Sequence, residues 1–265
     1  EAKNHTIEAA KRDENNIFYR MELAYMYREF NDFETSAGVF EHLSSERPST
    51  SKYYFEAAKS WYQGGKTNKA IQALNNLDNA RGISLETCLK KHFWHMELGN
   101  DNEAEKELLK IQKKLPDNQY VLASFVDFYY RTGQTDKAIS TLKRLVEVDP
   151  KNGKGLLLLG EYTYDNDEIE QAIDYFSRAI RSENLNASET IEALQFLIYR
   201  NDKQSIEEGL MNVEQSYSNN DTIMEFLGDY YMENLYYEKA LMIYDKTLEA
   251  NPNSYKLWEK ILNAY

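Results

Sequence analysis

Cysteine occurs once in these 265 residues, as Cys88, so no disulfide can form within the chain and its redox compartment stays open. No run approaches the roughly 20 apolar residues that a membrane-spanning helix needs. Basic residues are in short supply: 31 Lys and Arg face 44 Asp and Glu, a formal charge of −13. A chain this acidic repels phosphate backbones, which argues against nucleic acid as a principal partner. No glycine-rich phosphate loop is present, and no serine has a histidine placed to activate it. His5 and His42 lie in helical segments with no nucleophile motif beside them. The carboxylates scatter over loops and outer faces as a solvated surface does. Enzymatic activity is not expected, and no cofactor is implied.

Proline is scarce too, and its positions are informative. Pro48, Pro116, Pro150 and Pro252 are separated by 68, 34 and 102 residues, each a multiple of 34. Ala70, Ala104, Ala138, Ala172 and Ala240 keep the same phase, as do Gly65, Gly99 and Gly133. Residues that break or tighten the backbone at a fixed interval mean that one structural unit is copied along the chain. With position 1 at Ile17, seven contiguous 34-residue units fill 17–254 without insertion or deletion. Each unit contacts only its neighbours, so an elongated array replaces the one or two globular domains that the length alone suggests.

Within a unit the apolar residues recur at i, i+3, i+4 and i+7. In the fourth unit Leu122, Phe125, Val126 and Tyr129 form one helical stripe, Gly133 interrupts it, and Ala138, Leu142 and Leu145 form a second stripe ended by Pro150. Each unit is therefore predicted to be two helices and a tight turn. Positions 8 and 20 are small where the two helices cross, and position 15 is Gly in three units because the turn needs a left-handed or otherwise open backbone. The third and sixth units depart most. The third has Cys88, His92 and His95 at positions 4, 8 and 11; the sixth has Leu194 and Ile206 at the small positions, which predicts a looser or differently angled pair.

This pattern resembles the tetratricopeptide repeat. The seventh unit carries Met224, Leu227, Gly228, Tyr231, Ala240, Tyr244 and Pro252, and the fifth carries Leu156, Leu159, Gly160, Ala172, Phe176 and Ala179. The resemblance covers nearly the whole chain. It implies an all-α fold, a right-handed α-solenoid of antiparallel helix pairs, working as a non-catalytic scaffold for a protein or peptide partner. Residues 1–16, with Ala2 and Ala9 in phase, read as the second helix of a preceding truncated repeat. Residues 255–265, with Trp258, Ile261, Leu262 and Tyr265, read as the first helix of a truncated eighth. Neither end supplies a polar cap, so a longer protein is expected.

The resemblance further implies a concave binding face built from first-helix positions 2, 5, 9, 12 and 13. The residues expected to meet a partner are Tyr25, Lys59, Tyr62, Phe93, Asp127, Tyr130, Arg131, Glu161, Tyr164 and Asp229. They form an aromatic ladder with a basic patch early and carboxylates late, which suits an extended peptide carrying Lys or Arg. The carboxylate clamp of chaperone-tail binders is absent: its positions hold Phe55, Glu56 and Lys59, then Leu89, Lys90 and Phe93.

Cys88, His92 and His95 share one helical face at i, i+4 and i+7 and are zinc-type ligands, but they stand at core positions and no fourth ligand is obvious. A histidine hydrogen-bonded inside its helix pair is the plainer reading, and no metal is assigned. The texture of Lys52–Ala58, Leu77–Ser84 and Leu227–Tyr231 resembles long envelope-associated repeat proteins of Bacteroidetes. That resemblance implies the periplasm, with an outer-membrane anchor through a segment preceding Glu1 and a place in a multi-subunit assembly or secretion complex. The alternatives are a structural subunit docking through its convex faces or ends, and a cytoplasmic peptide-sensing regulator.

Overall fold

The computed structural model describes residues 16–182, 184–200 and 203–264. Of the expected extra helix over 1–16, residues 1–15 lie outside them, as does Tyr265; Asn16 is described, and its side chain caps the helix that starts at Ile17. The described residues form an all-α fold. Seven first helices are α1 (Ile17–Glu29), α3 (Ser51–Gln63), α5 (Leu85–Glu97), α7 (Gln119–Arg131), α9 (Gly153–Asp165), α11 (Ala187–Arg200) and α13 (Asp221–Glu233). They alternate with seven second helices: α2 (Phe33–Glu46), α4 (Thr67–Arg81), α6 (Asp101–Gln112), α8 (Thr135–Val148), α10 (Ile169–Arg181), α12 (Lys203–Ser216) and α14 (Tyr237–Ala250). Then comes α15 (Tyr255–Ala264). Successive first helices start 34 residues apart, and so do successive second helices.

Two local devices set these boundaries. The residue before each first helix is Asn, Ser or Thr, and most of these side chains cap the free amides that follow. Asn118 accepts from the amides of Tyr120 and Val121, and Ser84 with Thr87 closes a reciprocal capping box. Asn186 and Glu189 close another, the Asn186 amide donating to the Glu189 carboxylate at 2.8 Å. In the six pairs where position 15 is described, the turn between paired helices is left-handed there. Gly65, Gly99 and Gly133 have φ near +70°, and Asn31, Asp167 and Leu235 take the same conformation at φ 60°, 61° and 65°. Asn and Asp tolerate that region through local hydrogen bonds; Leu235 has no such compensation.

The chain divides into two compact units, residues 1–134 and 135–265. In the first, one core gathers Ala24, Phe40, Ala58, Trp61, Ala70 and Leu74, and another Cys88, Ala104, Leu108, Phe125 and Phe128. In the second, the core runs from Leu157 through Phe176, Leu194, Leu197, Val213 and Leu227 to Tyr244 and Ile261. The small crossing positions do what their size suggests. A Cβ on Gly160 would stand 3.0 Å from the Phe176 ring, and one on Gly228 would run into the Tyr244 ring. Bulky Leu194 is fully buried without a small partner at position 20, because Gly209 takes that role: a Cβ there would be 3.2 Å from the Leu194 side chain. In α15, Leu257 and Ile261 are buried while Trp258 and Leu262 are exposed.

Candidate functional site

Within residues 1–134 the first helices α1, α3, α5 and α7 bring positions 2, 5, 9 and 12 onto one strip. Tyr25 is half-buried there. Its ring lies 5.3 Å from that of Phe40, and its hydroxyl donates to Glu56 on α3 at 3.4 Å. The Arg28 guanidinium pairs with Glu56 at 2.7 Å and stands 5.2 Å from the Tyr25 centroid. Tyr25 thus joins α1 to α3 rather than standing out from them.

Tyr62 on α3 is stacked on Trp94 of α5, centroids 5.1 Å apart at 24°, and its hydroxyl donates to Glu97 at 2.9 Å. That acceptor raises the phenol above the usual tyrosine range. Between α3 and α5 opens a cleft of about 630 Å³, with Phe55, Leu89, Phe93 and Trp94 lining it and Lys59, Tyr62, Glu56, Glu86 and Lys90 beside them. A second cleft of about 360 Å³ lies between α5 and α7, lined by Leu89, Phe93, Met96, Tyr120, Asp127 and Arg131. Phe93 is half exposed and belongs to both. The cleft charges balance: two lysines stand with two glutamates in the first, and Arg131 pairs with Asp127 at 3.1 Å in the second. Tyr130 is partly exposed on α7, outside the lining of either cleft. Of the expected residues, Lys59, Tyr62, Phe93, Asp127 and Arg131 are brought together.

In residues 135–265 the expected residues have other surroundings. Tyr164 stands edge-on to Phe196 at 4.9 Å, and Phe196 lies 4.2 Å from Phe176, so its ring packs against the core. Glu161 is half-buried, and its carboxyl is raised by burial and then by Glu192 and Asp165. Asp229 accepts the Tyr244 hydroxyl at 2.6 Å and pairs at 2.6 Å with Lys260, which also reaches Glu225 at 2.6 Å. Its carboxylate ties α13 to α15, and this changes the expectation of a carboxylate open to a cationic ligand.

Cys88 and His92 are buried in the third helix pair, and His95 is partly buried. Burial pushes the Cys88 thiol up to about 11. His92 stands where four of the other six pairs have Ala or Gly; its Nδ1 is 3.0 Å from the Ala104 carbonyl oxygen and its ring is edge-on to Phe128. Burial holds both histidines below their ordinary range. Among the described residues no group of three or more His, Cys, Asp or Glu is arranged to hold a metal ion.

Sequence reasoning missed the neighbour of this group. Lys91, at core position 7, has a side chain 1% exposed. Its ammonium reaches Asp78 at 2.6 Å, Glu107 at 2.9 Å and Asn75 at 3.1 Å. Thr87 donates to the other Asp78 oxygen at 2.6 Å, and Lys110 reaches Glu107 at 2.6 Å. The available signal was a lysine where every other unit places an apolar residue: Leu23, Ala57, Phe125, Leu159, Ala193 and Leu227.

Residues 126–187 match the tetratricopeptide repeat family model. No curated protein matches the sequence. The fold is similar to that of the C-terminal part of a TPR repeat-containing protein from Cytophaga hutchinsonii, at TM-score 0.56 and 14% identity over 91% of this chain and 99% of that one. It is also similar to pilF of Pseudomonas aeruginosa, at 0.51 and 12% over 86% and 100%, and to a tetratricopeptide repeat protein from Parabacteroides merdae, at 0.50 and 12% over 92% and 97%. At these identities the likeness is one of fold.

Proposed function

We propose that this chain, a tetratricopeptide-repeat protein, is a non-catalytic scaffold that holds an extended segment of a protein partner along the first-helix strip of residues 1–134. The observation that carries the reading is the pair of adjoining clefts that share Phe93 and Leu89. Apolar floors with balanced charges bind through buried side-chain anchors and use the rim for register. Packed helices are about 10 Å apart, which a polyproline-II chain, with three residues per turn and a rise of about 3.1 Å, covers in about three residues while returning its side chain to the same face. The partner segment therefore presents two large apolar side chains three residues apart, one per cleft. Tyr62 is already fixed by Trp94 and Glu97, so little side-chain freedom is lost on binding.

The setting we propose is a multi-subunit complex of the bacterial cell envelope, on the strength of the sequence texture. Fractionation of the native cells tests it: recovery with the envelope supports the reading, and recovery only from the cytosol overturns it. For the strip, Phe93→Ala with Lys59→Glu is compared with the parent in affinity purification from native extract. Loss of a specific partner with helicity unchanged supports the proposal, and undiminished recovery sinks it.

A further inference from the structure

A different cavity, of about 600 Å³, lies in residues 135–265 among α12, α13 and α14, away from the first-helix strip. Three tyrosines line it. Tyr230 and Tyr231 have ring centroids 5.6 Å apart at 66°, and Tyr231 and Tyr236 are 6.2 Å apart at 88°, so Tyr231 meets each of the other two rings edge to face. Glu207 and Glu214 line the same cavity, and neither makes an ion pair with a described basic side chain. One cation is already there: the Lys239 ammonium lies 5.2 Å from the Tyr231 centroid and 6.0 Å from that of Tyr236.

Aromatic faces carry negative electrostatic potential and attract cations within about 6 Å, most strongly cations that are cheaply desolvated, such as alkylated ammonium ions. Two carboxylates against one lysine leave the cavity one negative charge in excess. Its volume lies in the range of ligand pockets and far exceeds what one lysine head fills. We propose that this cavity binds an organic ammonium ion, whose cationic head rests on Tyr230, Tyr231 and Tyr236, is balanced by Glu207 and Glu214, and displaces Lys239. The same head group can come from a free methylated amine or from a methylated lysine on a partner.

The test is titration of the 265-residue chain with choline, with its neutral isostere 3,3-dimethylbutanol, and with short peptides bearing trimethyl-lysine or unmodified lysine. Calorimetry and tyrosine ring NMR provide the readout. Choline is expected to bind saturably and the neutral isostere not to bind. Glu207→Gln with Glu214→Gln should weaken choline by about tenfold, and Lys239→Met should tighten it. Tyr236 is well exposed, so Tyr236→Ser keeps the fold and should weaken binding too, with circular dichroism as the check. A trimethyl-lysine peptide that binds more tightly than choline identifies a protein source, and choline alone identifies a free amine. The proposal is overturned by absence of saturable choline binding in both the parent and Lys239→Met, by equal binding of the neutral isostere, or by indifference to the glutamine pair.

Discussion

The Lys91 ammonium lies 2.6 Å from the Asp78 carboxylate, with the two side chains 1% and 8% exposed. Glu107 closes the other side at 2.9 Å. Burial alone would lower this lysine, yet its hydrogen bonds to the two carboxylates raise it above the ordinary value. Such a cluster contributes little net stability compared with an apolar replacement, but removal of one partner strands buried charge. Lys91→Met is therefore expected to destabilise the fold by about 3–5 kcal/mol. Adding Asp78→Asn and Glu107→Gln to it should recover most of that loss. Urea unfolding of the single and triple variants checks both; equal losses would contradict the account.

Histidines 92 and 95 set the acid response. Burial holds both below the ordinary value, so between that value and their folded ones the unfolded chain binds more protons than the folded chain. Stability should fall as pH drops below about 6.5. Glu107 adds to the loss at lower pH. Burial pushes its carboxyl up, but Lys110 and Lys91 hold it below the usual range, so its contribution is present above about pH 4.3 and disappears as pH falls through the folded value. The Lys91 contribution is intact below about pH 10.4 and disappears only as pH rises through the raised folded value. A His95→Gln variant should lose less stability than the parent between pH 7 and 5, as read from unfolding midpoints.

Two substitutions separate backbone from packing. Leu235 is left-handed and well exposed, so Leu235→Gly removes strain at little cost in burial and should stabilise the chain by about 1 kcal/mol. Gly228→Ala places a Cβ 2.7 Å from Cδ1 of the fully buried Tyr244 ring, whose hydroxyl is held by Asp229. Displacing that ring should cost about 1–3 kcal/mol. Thermal unfolding of the two variants should move in opposite directions.

The helix pairs were legible because their punctuation is local. Small residues, left-handed turns and prolines recur every 34 positions, and the helix starts follow that interval. The strip was legible in part. Lys59, Tyr62 and Phe93 meet because repeat geometry alone brings neighbouring first helices together. The pairing of Asp229 was not legible: its cation, Lys260, lies 31 residues away on α15, and no pattern within one repeat announces that contact. Lys91 was missed for the same reason: lysine normally reads as solvent-facing, and Asp78 and Glu107 reach it from two other helices. The tyrosine cavity draws on three helices, so no short motif marks it.

The most direct test of the scaffold reading is site-specific photo-cross-linking in the native cells, with a photoreactive phenylalanine analogue at position 93 or, as a control, at exposed Leu109 on second helix α6. The account predicts one dominant partner cross-linked from position 93 and none from 109. Cross-links from 109 without any from 93 would contradict it.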